Sequence, residues 1–150
     1  MSFCLFELCR HQNIQRKIQE ELDTIFDSAT SFDDLTYEMF NNLKYLECCI
    51  DETLRLYPPL AILFRTCTKD YKLPDSDLII EKGTPIYIPA IAMQRDEEIF
   101  ENPLEFIPER FIDSPTGNGK TNGGIFYLPF GDGPRYVDII SCYNGHLRSI

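Results

Sequence analysis

Pro58-Pro59 stops the helix that most constrains this sequence, because proline lacks an amide hydrogen and drives the residue before it out of helical geometry. The spacing predicts that helix over about Asn42 to Tyr57, with Leu43, Leu46, Ile50, Leu54 and Tyr57 on one apolar stripe. Lys44, Glu47, Asp51 and Arg55 gather on an adjoining polar face. Glu52 points away from the stripe, with Cys48 one turn before it and Leu56 one turn after. A carboxylate between two apolar neighbours is a candidate for burial, and a buried charge needs partners. Arg55, three residues on, is the nearest in sequence. Periodicity leaves two readings open. One is a solvent-exposed helical ion pair that contributes roughly a few tenths of a kcal/mol; the other is a buried charge cluster.

The remaining elements are shorter. Ile14, Ile18, Leu22 and Ile25 recur at helical spacing within a helix predicted from residue 1 to about residue 27, which begins apolar from its first residues. Residues 28–36 are turn-like. Ile62 to Thr68 is a strand candidate, and Leu78 to Glu81 with Pro85 to Pro89 are expected to form a hairpin around Lys82-Gly83-Thr84. A short acidic helical piece follows Met93, and beyond it prolines and glycines exclude long regular elements. The order predicts an α+β fold, mainly α with a small β-sheet.

With 150 residues, 43% apolar and 25% charged, the chain has enough material for one globular core. The formal charge of −10 argues against nucleic acid as a partner, because nothing could neutralise a run of phosphates. No apolar run reaches the ~18 residues of a membrane span, and a soluble, intracellular chain is expected. The six cysteines form no disulfide framework and are read as reduced thiols. Cys142 and His146 have zinc-like spacing, but no CxxC pair completes a site.

Three motifs stand in order: Glu52-Thr53-Leu54-Arg55 before Pro58-Pro59, Phe106-Ile107-Pro108-Glu109-Arg110-Phe111, and Phe130-Gly131-Asp132-Gly133-Pro134-Arg135. In order and approximate spacing they resemble the cytochrome P-450 monooxygenases. The wording "DETLRLYPPL" and "FIPERF" resembles the eukaryotic microsomal branch and insect-type members within it. The resemblance implies a partial cytochrome P-450 fold over residues 1–135, about a third of a whole family member. Glu52 and Arg55 match the family's ExxR pair and Arg110 the arginine that joins them in a buried ionic network. Arg65 and Arg135 match partners of the haem propionates, a role that suits the planar, permanently charged guanidinium. Phe130 matches the ring that packs by the axial sulfur, and Gly133 the glycine that lets the loop approach the iron. The implied parent uses haem, dioxygen and electrons from an NADPH-dependent reductase to insert oxygen into small apolar substrates at the endoplasmic reticulum membrane.

The resemblance then fails. The family's axial cysteine is expected at position 137, which is Val137, and valine has no donor atom for iron. Residues 136–150 resemble nothing in the family, and Cys142 lies five residues too late to substitute. Tyr136-Val137 after Arg135 fits a GTAYGT splice signal read as codons, so the tail is expected to be translated intron. "MSFCLFEL" resembles the segment just after the family's oxygen-activating threonine, so the anchor, the distal pocket and most substrate-recognition segments are expected to be missing. The chain is accordingly expected to be catalytically inactive and soluble or unstable. The alternative is a non-catalytic remnant that binds a protein partner, which the acidic charge disfavours for a reductase.

Overall fold

The computed structural model describes residues 1–28, 36, 39, 42–112 and 126–131. Gly133, Arg135, Val137 and Cys142, with the whole 136–150 tail, lie outside the described residues.

The first predicted helix is two. Helix α1 spans Ser2–Arg10 and α2 spans Gln12–Ser28, with His11 between them at φ −115°, ψ 75°. The His11 amide and ring Nδ1 both donate to the Glu7 carbonyl, at 3.0 and 2.9 Å. This local side-chain bond competes with continuing the helix, which hydrophobic spacing alone does not register. The break turns α1 so that buried Glu7 accepts a hydrogen bond from the Tyr57 hydroxyl, while Phe3 stacks on the Tyr57 ring at 4.5 Å. Met1, Leu5 and Phe6 remain exposed.

Helix α3 spans Lys44–Leu56, inside the predicted bounds. Its first turn has no side-chain cap of its own. Glu21 of α2 takes that role: Oε1 accepts from the Tyr45 amide at 2.9 Å and Oε2 from the Leu46 amide at 3.1 Å. A carboxylate there satisfies free helical N–H groups and meets the positive end of the helix.

The predicted stripe is a poor guide to what α3 buries. Ile50, in its middle, is 37% exposed, whereas Cys48, Cys49, Asp51, Glu52, Thr53, Arg55 and Leu56 are all buried. The reason is that α3 is covered on more than one side. Cys49 and Leu56 join Ile14, Ile18 and Phe106 in the apolar core, with Leu8, Leu22, Tyr45, Leu46 and Tyr57 packed against it. Each fully buried apolar side chain there contributes about 1.5–3 kcal/mol. The Glu52 and Arg55 side faces the chain between Gln94 and Arg110, including a 3₁₀ helix at Pro108–Phe111.

Among the described residues, four short strands make two two-stranded antiparallel sheets. Strand β1 (Leu63–Thr66) pairs with β4 (Pro85–Ile88), and β2 (Tyr71–Lys72) pairs with β3 (Ile79–Ile80). The predicted hairpin between the last two strands therefore does not form. After β3 the chain turns at Gly83, at φ +92°, and two backbone bonds between Cys67 and the Gly83-Thr84 pair dock the turn beside the end of β1. The Gly83 amide donates to Cys67 O at 2.7 Å, and the Cys67 amide to Thr84 O at 3.0 Å. Four-residue β1 offers β4 a full ladder, where two-residue β3 offers half of one. A four-residue helix α4 (Ala90–Met93) leads back towards α3. The fold is α+β, as the element order predicts, and among the described residues no helix is long and apolar enough to cross a membrane.

Candidate functional site

The centre of the site is an ion cluster under α3. Glu52 and Arg55 are fully buried, and the Arg110 side chain is 9% exposed. Arg55 grips Glu52 two-fold, Nε to Oε2 at 2.7 Å and Nη2 to Oε1 at 2.9 Å. Its other N–H groups go to backbone: Nη1 to Gln94 O at 2.7 Å and Pro103 O at 2.8 Å, and Nη2 to Glu105 O at 3.2 Å. All five donors of the guanidinium are thereby used, and its Cζ lies over the Phe100 ring, 5.2 Å from the centroid.

Glu52 Oε1 also accepts from the Ile107 amide at 3.0 Å and from Arg110 Nε at 3.3 Å. Arg110 Nη2 donates to Asn102 O at 2.9 Å. Glu52, Arg55 and Arg110, 58 residues apart at the extremes, thus meet in one place. The exposed-pair reading is excluded by this burial. One carboxylate and two guanidiniums leave an excess positive charge, which the four backbone carbonyls help to satisfy. The cluster holds the irregular chain of 94–110 to α3 without requiring regular structure of it.

The second group of predicted residues lies on the sheet side. Arg65, exposed on β1, donates from Nη1 to Phe64 O at 2.9 Å. Gly131 comes against it at φ +84°: a methyl group added there would sit 3.3 Å from Arg65 Nη2 and 3.5 Å from Leu63 Cδ1. Positive φ and this approach both favour glycine. Half-buried Phe130 immediately precedes it. Arg65, Phe130 and Gly131 therefore share one corner, whereas Gly133 and Arg135 are outside the described residues.

Two polar contacts were not legible in the motifs. The Tyr127 hydroxyl donates to Asp51 Oδ1 at 3.0 Å and is 3.2 Å from Asp51 O, which ties the 126–131 segment to α3. Gln94, fully buried, accepts from the Leu128 amide at 2.9 Å. Neither pair has a spacing signal, since 76 and 34 residues separate the partners. Burial raises the Asp51 pKa to about 7; Glu47 pushes the same way and the Tyr127 bond opposes it. Glu47 is itself raised, chiefly by burial.

A haem fits one half of this arrangement. A guanidinium next to a glycine-lined approach suits a flat group carrying carboxylates. For the iron, the described 126–131 segment supplies no cysteine. Position 137 carries valine, and the buried thiols on α3 are poor thiolate donors: burial pushes Cys48 up to about 11 and raises Cys49 further. Cys4, Cys9, Cys48, Cys49 and Cys67 are all free.

Known proteins converge on the same family. The cytochrome P450 family model matches residues 1–136. Probable cytochrome P450 6d5 of Drosophila melanogaster is 47% identical over 134 residues, covering 89% of this chain and 25% of that protein. Cytochrome P450 6l1 of Blattella germanica is 37% identical over 138 residues, and cytochrome P450 6a2 of Drosophila melanogaster is 42% identical over 136; each match covers 90% of this chain and 26% of the relative. The chain thus spans about a quarter of the length of the curated relatives it matches. With the family matched from residue 1 to the last motif and insect relatives at up to 47% identity, this chain belongs to the cytochrome P450 family and is of the insect type.

Proposed function

We propose that the chain is part of a haem-dependent monooxygenase that inserts one oxygen of dioxygen into small apolar substrates, with electrons from an NADPH-dependent reductase at the endoplasmic reticulum membrane. The observation that carries the reading is Arg65 held beside Gly131, together with a buried Glu52–Arg55–Arg110 cluster, in a chain whose family is known. When bound, haem supplies the oxygen and electron chemistry. Arg65 binds a propionate through its fork, and Arg135 is assigned a second one. By resemblance, Phe130 is assigned to pack by the axial sulfur and Gly133 to let the loop approach the iron. The ionic cluster does no chemistry; it fixes the 94–110 chain against α3 so that the site has a rigid floor.

As written, the chain has valine where the axial donor belongs and is inactive. The family part is assigned to residues 1–135 and a separate tail to 136–150, translated from unspliced intron. Genomic sequence without GT at the Arg135–Tyr136 codon boundary overturns the intron assignment.

A haemin titration of the full chain, followed by absorbance, tests the propionate assignment. Saturable binding is expected, and Arg65→Leu weakens it about tenfold by removing a charge-assisted pair. Equal affinity of the two proteins, or no saturable binding by either, contradicts the assignment.

A further inference from the structure

Gln94 follows α4 directly and is the largest uncharged polar side chain to be fully buried among the described residues. Its carboxamide is used at both ends. Nε2 donates to Arg55 O at 2.9 Å and lies 3.4 Å from Leu54 O. Those carbonyls belong to the last turn of α3, where helical partners run out. Neighbouring Arg95 completes the same task, with Nη2 donating to Leu56 O at 2.6 Å. At the other end Gln94 Oε1 accepts from the Leu128 amide at 2.9 Å. The residue's own carbonyl accepts from Arg55 Nη1 at 2.7 Å.

One residue therefore touches three things at once: the end of α3, the guanidinium of the buried cluster, and the backbone of the 126–131 segment. Leu128 stands three residues before Gly131, and the Gly131 amide in turn donates to Leu128 O at 3.3 Å. A displacement of Leu128 is passed to Gly131 through that short turn. We propose that Gln94 is a positioning residue which sets where Leu128, and through it Gly131, stands relative to Arg65, and so couples the buried ion cluster to the candidate site.

The chemistry of the amide makes the proposal specific. Capping α3 needs a donor, and holding Leu128 needs an acceptor. A side chain that served α3 alone would need only the first. The Tyr127–Asp51 bond is a separate tie one residue earlier, so losing Gln94 loosens the segment at Leu128 without releasing it at Tyr127. The inference concerns the protein's own backbone and holds whether or not haem binds.

Hydrogen exchange of single backbone amides in the full chain separates the two roles. Gln94→Met keeps the bulk and loses both polar ends, while Gln94→Glu keeps an acceptor for Leu128 and loses the donor to α3. Exchange at the Leu128 amide is expected to rise about tenfold in Gln94→Met and to stay within about threefold of the parent in Gln94→Glu. Should Gln94→Met fail to fold, Gln94→Asn replaces it, with the same amide drawn back by one methylene. Unchanged Leu128 exchange in the Met or Asn variant overturns the proposal. So does an equal rise in both variants that runs alike through the α3 amides, because that is the behaviour of a cap alone.

Discussion

Glu52→Ala is expected to lower the unfolding free energy by about 3–5 kcal/mol, because it strands two guanidiniums around an emptied buried position. Arg55 loses both bonds of its two-fold grip, and Arg110 and the Ile107 amide lose their common acceptor. Neither guanidinium is open enough to recover its bond readily from water: Arg55 is fully buried and the Arg110 side chain is 9% exposed. Against a stability of about 5–15 kcal/mol for an ordinary domain, such a loss takes away a large part of the folded state. A surface pair supplies the contrast. Lys17 and Glu109 lie 2.6 Å apart, but their side chains are 51% and 40% exposed. Lys17→Ala is therefore expected to cost no more than about 1 kcal/mol despite the short distance. Urea unfolding of the two variants beside the parent measures the difference. Similar small losses in both would mean that the cluster behaves as an exposed pair does.

The second large effect is a pH dependence centred on Asp51. The unfolded chain ionises this carboxyl near its ordinary value of 3.8, whereas burial raises the folded value to about 7. Between those values the folded state keeps a proton that the unfolded state has released. Raising the pH through that window therefore removes stability, and above about pH 7 the loss is complete. Tyr127 donates a side-chain bond to the carboxylate, and Glu47 adds like charge. Asp51→Asn keeps an acceptor for Tyr127 and carries no charge. It is expected to flatten the slope and to stabilise the protein at about pH 8 by on the order of 3 kcal/mol. Urea unfolding of parent and variant at about pH 5 and pH 8 measures this. A parent whose stability rises between those points, or a variant with the parent's slope, contradicts it.

What the sequence disclosed divides along a physical line. Elements set by local chemistry were legible: Pro58-Pro59 ends α3 where expected, and the Ile14, Ile18 and Ile25 face of α2 is buried. Cys48 and Leu56 on either side made Glu52 a candidate for burial, but periodicity left the exposed pair open, and the apolar stripe beside it was misjudged because α3 is covered on several sides. The failures involve partners that hydrophobic spacing does not register, most of them distant. Strand β4 chose β1, some twenty residues back, over its neighbour β3. The α1–α2 break rests on a bond from His11 to Glu7, whose side chain is drawn to Tyr57. Arg55 is held by carbonyls of Gln94, Pro103 and Glu105, and every residue type supplies a carbonyl, so no residue pattern could mark them. Gln94 sits in the run Ala90-Ile91-Ala92-Met93-Gln94 with nothing to distinguish it from a surface amide. The grouping of Glu52, Arg55 and Arg110 came from resemblance, and the geometry now gives the reason for it.

The most direct test of the account is the carbon monoxide difference spectrum of the reduced, haemin-reconstituted full chain. On the proposed assignment of Val137 to the axial cysteine's position, the spectrum is predicted to lack the thiolate-type band. A thiolate-type band would put a sulfur on the iron, and the assignment of Val137 as the lost ligand position would be wrong.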